Sequence, residues 1–168
     1  MQLSRAQPEG SQDNLNIKFR EETATALLQA VLTRPFRELT FPLFGAPDRY
    51  EPCNNVNVIG DPSEAPLPDS LLPPRTDIAG AFERGFHRAM ARVGQLPLGW
   101  AHYRPMGQID LSETERAGLL RTFEKHKALR GRHVLVFTIT PNNEIEIRGY
   151  RYDGTELQGY KPYIAQPG

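Results

Sequence analysis

Residues 99–115, GWAHYRPMGQIDLSETE, gather His102, Arg104, Ser112 and Glu115 in one short stretch, and Glu38 stands upstream at the head of ELTFPLFG. Imidazole and carboxylate are the groups that most readily exchange protons or ligate a metal near neutral pH. Each of these residues also has an ordinary structural use. Ser112 and Glu115 form the Ser-x-x-Glu of a helix capping box. His102 beside Trp100 reads equally as a buried histidine whose hydrogen bonds are satisfied, and Glu38 as a common glutamate between helix and strand. Arg104 is permanently protonated, has no lone pair to offer, and can only donate.

The elements that must position these residues follow from periodicity. EETATALLQAVL, residues 21–32, repeats apolar side chains at helical spacing until Pro35. ELTFPLFG (38–45) reads as a strand that Pro42 pushes toward an edge or a bulge, and CNNVNVIGD as a second strand. Residues 60–75 are a proline-rich insertion, and a helix is expected from about Thr76 to Gly94. LPLGWAHY (96–103) is a further strand, and the helix opened by Ser112 carries Leu119, Leu120 and Phe123. HVLVFTI (133–139) and EIEIRGYRY, joined by a turn at Pro141-Asn142-Asn143, predict a hairpin. The fold class is therefore α/β, a mixed β-sheet flanked by helices. One domain is expected over 15–164, after a loose, polar tail at 1–14 that has too few apolar side chains to repay ordering.

With those elements in place, the spacing resembles that of the JAB/MPN (JAMM) metallopeptidases. That family carries a glutamate ahead of a glycine-ending strand, then Gly-Trp-x-His-x-His-Pro, then Ser-x-x-Asp. Here Glu38 precedes Gly45, while Gly99, Trp100, His102 and Pro105 match the central block, and Ser112 falls eight positions after residue 104. The resemblance implies a single-domain MPN-like sheet and a zinc site in which His102 and Glu115 are the metal ligands. It further implies that Glu38 is the general base for the zinc-bound water and Ser112 the oxyanion donor. Arg104 stands where the second histidine belongs and brings a positive charge to the place of a dication; Glu115 replaces an aspartate, and Phe41 a glycine. A metal-free pseudoenzyme is thus expected, with no cofactor and with Arg104 paired to Glu38 or Glu115. It would act as a protein-binding scaffold toward a second MPN subunit or a ubiquitin-like protein, as inactive members do in the proteasome lid, the signalosome and translation initiation factor 3. The alternative is a zinc-dependent isopeptidase that completes its ligand set from elsewhere.

Composition bounds the remaining classes. Lysine plus arginine and aspartate plus glutamate balance at 20 each, so net charge calls for neither nucleic acid nor an anionic membrane. The basic run Arg116, Arg121, Lys125, Lys127, Arg130, Arg132 and His133 lacks interleaved aromatic stacking residues and reads as a solvated helix face, with nucleic acid only a remote alternative. His87, His126 and His133 read as isolated side chains. No segment approaches the roughly 18–20 apolar residues of a membrane span and the N-terminus has no signal-peptide core. Cys53, the one cysteine, fits a reducing compartment, so a cytoplasmic location is expected. The tail YKPYIAQPG combines aromatics and prolines in a composition suited to docking on another protein and equally typical of an ordinary long loop.

Overall fold

A computed structural model describes residues 16–64, 95–105, 107–125 and 131–166. The tail at 1–14, the helix expected over 76–94, most of the proline-rich insertion, His87 and His126 lie outside the described residues. The remainder forms one mixed sheet with a helix on each side. In chain order the elements are β1 (Asn16–Phe19), α1 (Glu21–Leu32), β2 (Leu39–Pro47), β3 (Cys53–Ile59), β4 (Ser63–Glu64), β5 (Leu96–Tyr103), α2 (Glu113–Lys125), β6 (His133–Ile139), β7 (Ile145–Tyr152), β8 (Leu157–Tyr160) and β9 (Tyr163–Ile164). Strands lie in the order β8-β7-β6-β5-β2-β3-β1-β9, with β4 beside β2. The β5–β6, β1–β3 and β1–β9 pairs are parallel, and the others antiparallel.

Side-chain alternation divides the sheet into two buried faces. Phe41, Ala101, Tyr103, Leu135 and Phe137 join Ala24, Leu27 and Val31 of α1 in the larger core. On the opposite face Trp100 and Val134 pack with Leu119 and Phe123 of α2. There Phe123 lies between Trp100 and Tyr152, with ring centroids at 6.2 and 5.6 Å and nearly parallel planes. Leu27 and Val31 of α1, both fully buried, contribute about 1.5–3 kcal/mol each, enough to hold a helix whose N-cap, Arg20, makes no side-chain cap bond.

Helix 21–32 and the strands at 96–103 and 133–139 fall where their periodicity places them. Pro42 is a partial correction, because it sits in an interior strand. It is tolerated there because its carbonyl accepts from Gly60, and the missing N–H points the same way, into the break between β3 and β4. Register shifts at Leu43, Phe44 and Gly45 supply the expected bulge. The insertion at 60–75 also contributes β4 to the sheet. The C-terminal tail corrects the reading of an ordinary loop, since Tyr160 ends β8, Tyr163–Ile164 pairs with β1, and the Gln166 amide bonds both backbone groups of Ile145 at 2.9 and 3.1 Å.

Candidate functional site

Glu38, Thr40 and His102 share the α2-facing side of the sheet, because β2 and β5 are paired with Thr40 opposite His102. The placement depends on Gly99. Its φ is +147°, and a Cβ there would stand 1.9 Å from the carbonyl oxygen of His133, so only glycine lets β5 and β6 approach where Trp100 and His102 begin. His102 is fully buried. Its Nε2 lies 2.8 Å from Oε1 of Glu38 and its Nδ1 lies 3.1 Å from the Thr40 hydroxyl. Both ring nitrogens are therefore engaged.

Arg104 follows β5 and continues its pairing, its N–H donating to the Phe137 carbonyl. Its guanidinium donates to Oε2 of Glu115 and, at 3.1 Å, to the carbonyl of Gln108. The other oxygen of Glu115 accepts the Ser112 N–H at 2.9 Å, while the Ser112 hydroxyl accepts the Glu115 N–H at 3.2 Å. This reciprocal capping box starts α2. One carboxylate thus anchors the helix and neutralises an arginine that is only 12 % exposed.

The sequence-predicted residues consequently assemble as two closed groups, Glu38–His102–Thr40 and Arg104–Glu115–Ser112. A catalytic zinc needs three convergent lone pairs and an open position for water. Here both ring nitrogens of His102 and both carboxylate oxygens of Glu115 are already bonded, and a guanidinium lies on Glu115, so the residues present do not fit a metal. Among the described residues, a grouping with metal-ligand donors within 4.8 Å of one another occurs instead at Asp48, Glu51 and Cys53. Asp48 there is occupied by the Tyr50 and Glu51 N–H groups and the Asn55 amide, which hold its carboxyl well below the usual range, while Glu51 pairs with Lys18. This is the architecture of a β2–β3 turn. Thr40 is the residue that motif reading misses; its position two residues after Glu38 on a strand was the available signal.

Other expected groups resolve simply. Arg116 stacks over the Tyr150 ring, and Arg121 and Lys125 are exposed on α2. No helix among the described residues is long and apolar enough to cross a membrane.

No protein-family model matches the chain, and no curated protein matches it in sequence. Solved structures do match. A protein from Desulfitobacterium hafniense is 13% identical with a TM-score of 0.59, covering 89% of this chain and 92% of that one. One from Salinibacter ruber is 13% identical with a TM-score of 0.51, covering 88% and 91%. The chain shares its fold with these two. A JAB1/MPN domain protein from Archaeoglobus fulgidus aligns at 13% identity and a TM-score of 0.48, covering 89% of this chain and 98% of that one.

Proposed function

We propose that the chain is a catalytically inactive MPN-like domain that works as a protein-binding scaffold, its partner a second MPN subunit or a ubiquitin-like protein. The observation that carries the reading is the seat of Arg104. Its guanidinium lies on Glu115, the residue aligned with the family's carboxylate ligand, so a positive charge occupies the side of the pocket where zinc would sit. A dication arriving there would have to displace a partly buried ion pair and separate His102 from Glu38. Breaking a buried pair by removing one partner costs about 3–5 kcal/mol, and two protein ligands do not ordinarily compensate that for zinc. On this reading Glu38 and Ser112 hold the former catalytic positions as structural residues, without a bound water to activate or an oxyanion to meet.

Elemental analysis of protein offered excess zinc and then dialysed tests the proposal. The expected result is no retained metal. About one zinc per chain, abolished by His102→Ala, would overturn the reading in favour of a zinc-dependent isopeptidase.

A further inference from the structure

The sheet curls until its two edge strands are consecutive in the chain. Only Lys161 and Pro162 separate β8 from β9, so the Cα atoms of Tyr160 and Tyr163 are at most about 11 Å apart. At this seam the Tyr160 hydroxyl lies 2.7 Å from Nδ1 of His133, the first residue of β6. The same oxygen takes a backbone hydrogen bond from Ile17 on β1. One hydroxyl thereby ties the end of β8 to strands that lie toward opposite edges of the sheet. The tyrosine ring meets the imidazole edge-on at 5.6 Å and covers Gly149, where a Cβ would come within 2.5 Å of it.

The bond has a directional requirement. The Tyr160 oxygen can accept from Ile17 while its proton is donated to His133, and His133 can accept that proton only while Nδ1 carries a lone pair, the tautomer with its one ring proton on Nε2. His133 is 1% exposed, and its Nε2 is buried without a hydrogen-bond partner. A second ring proton would go to Nδ1 and turn it from acceptor to donor, leaving the hydroxyl proton without the imidazole as its acceptor, while the Nε2–H of the neutral ring already has no partner. It would also add charge beside Arg151, paired opposite on β7, and Arg132, its own chain neighbour. β8 offers the neutral Tyr160, and β5 meets the residue with the backbone of Gly99. Burial first, then the two arginines, hold the His133 pKa down to about 4.

We propose that His133 and Tyr160 form an acid-released latch: neutral His133 fastens the segment 157–166 across the sheet, and protonation frees that segment and bares the outer edge of β1. The latch is local, since β6 and β7 keep their own pairing of seven residues when Tyr160 leaves.

Hydrogen exchange of the full chain at pH 7 and at about pH 4, corrected for the intrinsic pH dependence of exchange, tests the latch. In the unmodified protein, amides of 157–164 are expected to lose protection at least tenfold more than those of 133–137 on acidification. Tyr160→Phe, which keeps the ring and removes only the hydroxyl, should leave the segment poorly protected at both pH values. His133→Gln, which cannot take up the proton, should remove the pH dependence. Loss of protection by all strands together, or a segment 157–164 that stays protected while the His133 ring is seen by NMR to titrate, would overturn the proposal.

Discussion

The two faces of the sheet each bury a histidine and furnish it differently. On the α2 face His102 has a carboxylate on one nitrogen and a hydroxyl on the other, and the adjacent arginine has its own carboxylate. On the α1 face His133 has a tyrosine hydroxyl on one nitrogen and nothing on the other. Burial is equal, so the contrast isolates polar satisfaction. A buried imidazole with both nitrogens answered is a fixed piece of structure, whereas one left half answered is held in a single protonation state and responds when that state changes. The residues that look most chemical in the sequence are therefore the closed ones, and a residue that looks plain keeps the open atom.

The largest effect should come from opening the closed face. Glu115→Ala removes a carboxylate partner of the Arg104 guanidinium and half of the α2 capping box at once, leaving a partly buried arginine without that carboxylate. We expect a loss of about 3 kcal/mol in urea unfolding, together with a red shift in the fluorescence of Trp100, the one tryptophan, as α2 loosens over it. Arg104→Met combined with Glu115→Ala should recover much of that loss, because the charge that lost its carboxylate is then gone. A double variant as unstable as the single one would mean that the cap, not the ion pair, is what Glu115 supplies.

Much of this closed face is legible in the sequence, and the open face is not, for physical reasons. α1, β5 and β6 carry strong helical or strand periodicity, and the spacing from Glu38 through Ser112 survives in the register that places Thr40 opposite His102. The capping box declares itself because it is local. In contrast β1, β8 and β9 span two to four residues each, too short for a period to emerge, and two of them are held by parallel pairing to distant strands. YKPYIAQPG accordingly reads as a docking tail or an ordinary loop, and the strand within it, β9, goes unseen. His133 opens the clear strand HVLVFTI, but its partner lies 27 positions away; nothing local announces that bond or the orphaned nitrogen beside it. Pro42 misleads by a local rule that holds only where the missing N–H would have had a ladder to join.

The second effect in size comes from the open face. The folded-state pKa of His133 is lowered to about 4, against about 6.5 in the unfolded chain. Between those values the unfolded chain binds more protons than the folded one, so stability is fully present above about pH 6.5 and falls as the pH drops toward 4. The shift corresponds to about 3 kcal/mol once the pH is below the folded value. Urea midpoints measured across this window should decline in the unmodified protein and be much flatter in His133→Gln. Equal slopes in the two proteins would assign the acid sensitivity to other groups and erase the contrast between the histidines.

The smallest effect sharpens the comparison from the other side, by giving His102 the deficiency that His133 already has. Thr40→Val keeps the shape of the side chain and removes the hydroxyl from Nδ1, leaving one nitrogen of His102 buried and unanswered. Removing one partner of a buried hydrogen bond costs about 1–3 kcal/mol; we expect the lower half of that range, since Glu38 stays bonded at Nε2. If satisfaction is what distinguishes the two faces, Thr40→Ser, which keeps a hydroxyl at this position, should be more stable than Thr40→Val in urea unfolding. A Thr40→Ser protein no more stable than Thr40→Val would show that the carboxylate of Glu38 alone holds His102, and that the threonine serves only packing.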